Sequence, residues 1–386
     1  MIRKQLYTAM ALCALLLVQS GCKKDYDDGS TGTPRPGQAA IEWEKAADSS
    51  TAALVQKFWN ASGNYFNEKN TNTNFHYWPQ AHALDVLVDA YVRTGKAEYK
   101  ELMNKWMTGV KAKNGGSFLN EFYDDMEWNA LAMLRAHEAT GEAVYKEAVD
   151  AVWADIKTGW NNTMGGGIAW RKAMPYYKNT PANAPAAILA ARLYKKFNNP
   201  DDLVWSKKIY AWLKDSLYNK STGWVYDGIN SDNDGKRNTT WKFTYNQGTF
   251  IGAATELYSI TNDQAYLNDA LQATSFALTD AGITNFNDNL LRDEGGGDGG
   301  LFKGVLVRYL TQLVLAPGML SSDKTRIVNF LKHNAQTLWN TGTDKNNLLY
   351  GPYWKTPPGA STDLTIQLSG ATLMEAMALL KEKDLL

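Results

Sequence analysis

Two adjacent aspartates, Asp124 and Asp125, stand where a long loop gives way to an apolar-periodic helix, in the run Asn120-Glu121-Phe122-Tyr123-Asp124-Asp125-Met126-Glu127-Trp128. Hydrolysis of a glycosidic bond by the usual routes needs two carboxyl groups flanking it, one to donate a proton and one to act as nucleophile or base. A helix N-terminus favours negative charge, which suits the second role. A neighbouring carboxyl feels that charge and holds its own proton more tightly, which suits the first. Whether adjacent residues reach the ~5–5.5 Å separation of a retaining pair depends on rotamers that a sequence does not display. An aspartate at this point is also an ordinary helix cap, so the pair alone leaves both readings open.

The surrounding loops carry groups that suit a sugar. Trp78, Trp170, Tyr245 and Trp354 can stack on pyranose faces. Trp106, Trp153 and Trp212 fall inside helices and read as core. Asn120, Asn179, Asn246 and Gln247 each offer donor and acceptor together, matching vicinal hydroxyls, although each also suits loop capping. Lys178 is either a contact or a surface charge. Other motifs lead away from metals and phosphates. Asp232-Asn233-Asp234-Gly235 resembles part of a calcium loop, but the twelfth place from Asn230 is Trp241 rather than Glu. Gly295 to Gly300 has no Lys-Ser/Thr after it, so it reads as a loop that lets backbone approach a ligand, with Asp298 a sugar contact. The histidines at 76, 82, 137 and 333 are scattered, and no metal set is completed. His76 is placed at the cleft and His137 on the apolar face of a helix.

These loops need a scaffold. Apolar positions step by three and four in Leu84-Val88-Tyr91 and Met126-Ala130-Met133-Leu134-His137, which is helical. The pattern predicts twelve helices near 44–62, 79–94, 97–112, 125–140, 143–158, 183–197, 201–218, 246–260, 263–280, 299–316, 322–340 and 363–382. They come in pairs joined by a repeated turn. Tyr91 to Gly95 and Tyr99 matches His137 to Gly141 and Tyr145, and Tyr258 to Asn262 and Tyr266; Tyr194 to Asn198 is a looser copy. Gly or Asn at the fifth place suits a left-handed helix cap. Six hairpins with short turns at one end and long loops at the other predict an all-α fold, an (α/α)6 barrel. Strand signals are thin; Gly167–Trp170 and Trp224–Tyr226 suit small hairpins in the loops.

The chain has 386 residues with 40 basic and 40 acidic side chains, so no basic excess points to nucleic acid. A charged fraction of 21% against 44% hydrophobic residues excludes disorder over the whole length. Residues 1–21 read as a leader: Arg3 and Lys4, then an apolar run from Ala9 to Val18 too short to span a bilayer, then Gly21-Cys22. Cys22 resembles the lipidated cysteine of a bacterial lipoprotein, although Gln19 stands where Leu is usual. The following Lys23 to Asp28 looks like a Bacteroides-type surface-export signal. Without the leader the net charge is about −2, and the mature domain keeps no thiol beyond the acylated one. Residues 22–40, with Gly29, Gly32, Pro34, Pro36 and Gly37, read as a tether. Residues 41–386 form the barrel domain. The expected location is the bacterial outer membrane, facing the surface or the periplasm, held by lipid only.

An ordered set of motifs then gives the chain a family resemblance. Tyr123-Asp124-Asp125-Met126 with Trp128, Gly165-Gly166-Gly167-Ile168-Ala169-Trp170, Lys178-Asn179, Thr244-Tyr245-Asn246-Gln247-Gly248 and Tyr77-Trp78-Pro79-Gln80 resemble glycoside hydrolase family 76, the α-1,6-mannanases, over most of the mature chain. The resemblance implies an (α/α)6 barrel and an endo-acting, retaining α-1,6-mannanase. Asp124 is then the nucleophile and Asp125 the general acid/base. It implies contacts to α-mannan from Trp78, Asn120, Tyr123, Trp170, Lys178, Asn179, Tyr245, Asn246, Gln247, Asp298 and Trp354, with no cofactor, no metal, no nucleic acid and a monomeric state. Three rivals stand beside it. One is another (α/α)6 enzyme for uronate glycans, a hydrolase or lyase, which would need the cations Arg171, Lys172, Lys178, Lys236, Arg237, Lys242 or Arg292 in the cleft. A second is a transglycosidase. A third is a non-catalytic glycan-binding lipoprotein, which has no use for an aspartate pair.

Overall fold

A computed structural model describes residues 40–386; the leader, Cys22 and the tether up to residue 39 lie outside the described residues. Twelve helices follow in order: α1 Trp43–Phe58, α2 Tyr77–Thr94, α3 Ala97–Lys113, α4 Tyr123–Thr140, α5 Ala143–Thr158, α6 Ala184–Phe197, α7 Pro200–Ser216, α8 Thr244–Thr261, α9 Gln264–Thr279, α10 Gly299–Leu315, α11 Ser321–Asn340 and α12 Leu364–Glu382. The even-numbered helices pack on one another in sequence, and α12 returns to α2, closing a ring of six. The odd-numbered helices cover that ring from outside, α1 lying against α12. Inner helices are buried on nearly every face, as α12 and α8 show, whereas outer helices such as α3 and α5 bury a stripe. A helix apolar all round must lie inside, and one with a single apolar stripe must lie outside.

The repeated turn does what its residues require. The N–H groups of Gly95, Gly141, Asn198 and Asn262 bond back to the carbonyls of Tyr91, His137, Tyr194 and Tyr258 at 2.8 Å each. All four capping residues adopt positive φ, from 55° to 74°. Glycine and asparagine tolerate this left-handed cap best.

At the other end each outer helix except α3 runs into a short hairpin. Three are ladders: β1 Trp59–Asn60 with β2 Tyr65–Phe66, β5 Thr284–Asn285 with β6 Leu290–Leu291, and β7 Thr343–Asp344 with β8 Leu349–Tyr350; a fourth ladder, β3 Lys178–Asn179 with β4 Gly228–Ile229, joins the loop before α6 to the loop before α8. The expected pieces at 167–170 and 224–226 take part only as single bridges, Trp160 with Ile168, Ala169 with Lys178, and Tyr218 with Val225. The expected α1 ran on to residue 62 and α7 to residue 218. Both end earlier, because Trp59 and Tyr218 turn out of the helix to pair across their hairpins.

A buried side-chain amide holds each hairpin, four of them to the ring and one to the outer helix α11. Gln80 accepts from the Phe66 N–H at 2.9 Å and donates to its carbonyl at 2.8 Å. Asn183 brackets Ile168 at 2.8 and 2.9 Å. Gln247 accepts from Val225 at 2.6 Å and donates to Gly223 and Ala273 at 3.0 Å. Gln367 does the same for Tyr350 and Leu348, and Asn334 for Leu291 and Asn289. A backbone group facing the core must find a partner, and an amide satisfies donor and acceptor together.

Candidate active site

The inner helices point their N-termini at the hairpin end. A cavity of about 580 Å³ opens there, walled by the first turns of α2, α4, α8 and α10 and by the loops between them. Strand pairing across the loops assembles one wall. Phe122 pairs with Arg171, the Tyr123 N–H donates to the Trp170 carbonyl at 3.0 Å, Trp170 to Tyr177 at 3.0 Å, and Lys178 pairs with Ile229. Residues far apart in sequence are thereby lined up around the start of α4.

Asp124 lies in that first turn, 9% exposed. One carboxylate oxygen accepts from Trp170 Nε1 at 3.1 Å and the other from the Asp125 N–H at 3.0 Å. Burial raises its carboxyl above the ordinary value, and these two donors pull the other way. Asp125 is half-buried and opens on the cavity. Burial raises its carboxyl strongly, and the charges of Asp124 and then Asp298 raise it further. Both groups thus hold a proton more tightly than an exposed carboxyl, and one of the pair keeps it more readily than the other. The proton rests on Asp125, because Asp124 holds the N–H donors that stabilise an anion.

A third carboxylate, Asp227, completes this side. It is 4% exposed and accepts from Tyr177 at 3.1 Å, Tyr245 at 3.2 Å and Asn246 Nδ2 at 3.0 Å. Burial raises it and the three donors oppose that. Across the cavity, Asp298 accepts from Trp78 Nε1 at 2.7 Å and stands 3.8 Å from His76 Nε2. Aromatic rings floor and rim the space: Trp128, Phe302 stacked on Tyr245 at 3.9 Å, Phe243, and Trp241, which is 46% exposed.

Of the sequence-predicted contacts, the structure brings Trp78, Trp170, Asn179, Tyr245 and Asp298 to the cavity with Asp124, Asp125 and His76. It places the others elsewhere. Asn120 turns back to Asn114 at 2.8 Å and receives the Phe122 N–H at 3.0 Å, fixing the entry to α4. Tyr123 packs behind that entry, its ring against Gly159. Lys178 is fully buried and donates to the Gly167 carbonyl at 2.7 Å; burial brings its ammonium down to about 7. Trp354 is fully buried, with the Lys303 ammonium 5.2 Å from its ring. The Asn246-Gln247-Gly248 run serves the frame. Asn246 holds Asp227, Gln247 holds a hairpin, and Gly248 lets α10 approach so closely that a Cβ there would meet the Leu306 Cα at 2.7 Å.

None of the cations that a uronate site would need lines the cavity. Arg171 lies over Phe122 and Trp170, Lys172 pairs with Asp155, Lys236 with Asp234 and Lys242 with Asp280. Arg237 and Arg292 donate to the carbonyls of Ser216 and Lys242. His137 bonds the Glu142 carbonyl at 3.0 Å, a structural role. Among the described residues no group of acidic, histidine or cysteine side chains could hold a metal.

Sequence reasoning missed Asp227, Tyr177, Phe302 and Trp241, and it quoted Trp128 only as part of a motif, not as a cavity residue. Only Trp128 left a usable signal: four residues after Asp124, it shares that face of α4 and so points at the same space. Asp227 is a lone loop aspartate until Tyr177 and Asn246 are known to surround it.

The model of glycosyl hydrolase family 76 matches residues 42–386. The chain is 42% identical to the GH76A α-1,6-mannanase from Salegentibacter sp. HEL1_6, with a TM-score of 0.85 over 88% of this chain and 100% of that one. The same enzyme, as an inactive variant with two consecutive aspartates replaced by alanine, forms a complex with α-1,6-mannotetrose. A putative mannan endo-1,6-alpha-mannosidase of Schizosaccharomyces pombe is 23% identical over 75% of this chain and 71% of its own length. A mannan endo-1,6-alpha-mannosidase of Saccharomyces cerevisiae is 27% identical over 37% of this chain, and the match spans about a third of that relative, 34%.

Proposed function

The chain belongs to glycosyl hydrolase family 76, and we propose that it is an endo-acting α-1,6-mannanase that cuts the backbone of α-mannan with retention. In the first step Asp125 gives its proton to the glycosidic oxygen while Asp124 attacks the anomeric carbon. In the second, Asp125 takes a proton from water, which attacks the same carbon and releases the mannosyl group from Asp124. The route uses no cofactor.

The observation that carries this reading is the asymmetry of the pair. Asp124 accepts two N–H groups, as an anion should, while Asp125 faces an open cavity without an N–H donor of its own and keeps its proton. The cation-free lining suits a neutral glycan and disfavours a uronate. The 42% identity to an α-1,6-mannanase supports the linkage.

The deciding experiment is product analysis on linear α-1,6-mannan with the leaderless protein, Asp124→Asn and Asp125→Asn. Mannooligosaccharides of mixed length from the parent, and a loss of at least about 10³-fold in either variant, are expected. Binding without cutting would instead make the protein a glycan-binding module. The proposal extends to anchoring: Cys22 and its flanks support a lipid-anchored outer-membrane protein. Cys22→Ala should then move the protein from the membrane fraction to the soluble fraction.

A further inference from the structure

A second cavity, of about 230 Å³, adjoins the first and shares two of its walls, His76 and Asp298. It lies between the loop leading to α2 and the starts of α10 and α12, bounded by Glu68, Lys69, Pro79, Gly297, Asp363 and Thr365. Its frame is tightly bonded. Lys69 and Asp363 pair across their backbones, Lys69 Nζ reaches Asp363 at 3.1 Å, and the other oxygen of Asp363 accepts the Gly297 N–H at 2.7 Å. The Leu364 N–H donates to the Glu68 carbonyl at 2.8 Å, and Asn70 exchanges backbone and side-chain bonds with Thr362. The buried hydroxyl of Thr365, one of the walls, has no partner in the protein.

The two sides of the main cavity have different chemistry, and this orients the substrate. Asp124 sits with Trp170 and beside Asp227, so the sugar that becomes attached to the enzyme lies there. Asp125, the proton donor, is the member of the pair that feels Asp298. A general acid must face the oxygen that leaves, so the leaving portion of the chain departs on the Asp298 and His76 side. The second cavity is the next space in that direction.

Resting on the mannanase reading above, we propose that this second cavity is a leaving-group subsite, which holds a mannosyl unit of the departing chain through Lys69 and its neighbours. Its occupant is a neutral hexose. The pocket supplies hydroxyl partners in a preformed frame and offers one imidazole ring in place of a stacking platform. Such a site accounts for attack within a chain, because substrate is gripped on both sides of the scissile bond.

The test compares two substrates. α-1,6-Mannohexaose places sugars on both sides of the cut; the 4-nitrophenyl glycoside of α-1,6-mannobiose has a leaving group with no sugar. Lys69→Ala, which removes one donor, should lower kcat/KM on the hexaose about fivefold. Lys69→Trp, which fills the cavity, should lower it by more than about tenfold, with the aryl glycoside and the thermal midpoint little changed in both variants. Unchanged hexaose cleavage by Lys69→Trp, or an equal fall on both substrates, overturns the assignment. If Lys69→Trp does not fold, the Lys69→Ala comparison decides in the same way. Wild-type protein that leaves the hexaose intact removes the mannanase reading itself, and this subsite with it.

Discussion

Asp124 and Asp125 differ by one position in sequence and by their partners in space. Cleavage needs Asp124 ionised and Asp125 protonated, so the pH profile of kcat/KM should be bell-shaped, with its acid limb above the ordinary carboxylate range because burial raises both groups. Trp170→Phe removes a donor to the anion. It should move the acid limb to higher pH and cost about 10-fold or more in kcat/KM, since a hydrogen bond to a charged group contributes about 1.5–3 kcal/mol. Glu127, one turn further along α4, is fully buried without a side-chain partner, and burial and then the Asp124 charge raise its carboxyl well above the usual value against the pull of the Ala186 backbone N–H. The folded protein binds that proton more tightly than the unfolded chain, so stability falls as pH rises past about 4.3, the unfolded value. Glu127→Gln should therefore have a higher thermal midpoint than the parent at pH 8, the difference closing near pH 4; paired melts across pH measure it. At this scale the aspartate pair was legible, because a pair of acids opening a helix is a local pattern. Asp227 was not, because what distinguishes it is the convergence of Tyr177, Tyr245 and Asn246 from other segments.

Helices were legible because each carries its own apolar period and its own cap; the turn from Tyr91 to Gly95 announces itself. Hairpins were not, because two-residue ladders bury no stripe of their own and depend on amides elsewhere in the chain. Gln247 shows the cost of reading an amide from composition. It resembles a hydroxyl-binding group, yet it satisfies three backbone groups inside the frame. Gln247→Ala should leave those groups unpaired and destabilise the fold by about 2–4 kcal/mol. Urea unfolding would register this as a lower midpoint at unchanged slope. The same substitution should disturb catalysis through the loop that carries Asp227, since Gly223 and Val225 start that loop.

As a whole molecule the ring has two unlike ends. The end with short turns is locked by charge: Arg135 bonds Asp85 and Asp89 at 2.5 Å, Arg308 reaches Asp89 at 2.9 Å, and Arg93 joins Glu375 at 2.9 Å to Asp48 at 2.8 Å. These residues lie on α2, α4, α10, α12 and α1, so the cluster ties the first helix to the last. The six hairpins predicted a closed ring, but the cluster was unreadable, because its members come from separate helices. Arg135→Met should cost about 3 kcal/mol, because Arg308 alone is then left to pair both Asp85 and Asp89, and leave turnover at the opposite end unchanged; chemical denaturation and an assay on a short substrate measure the two. The bond from Asp48 to Arg93 also fixes a direction. It puts the start of α1 at the charged end, while α1 finishes at the hairpin of Trp59, at the end of the ring that holds the catalytic cavity. Residue 40, where the described chain begins, thus lies toward the pole opposite the cavity. With the described N-terminus at that pole, the mouth of the cavity stands at the far end of the molecule, free to meet a long polymer approaching from solution.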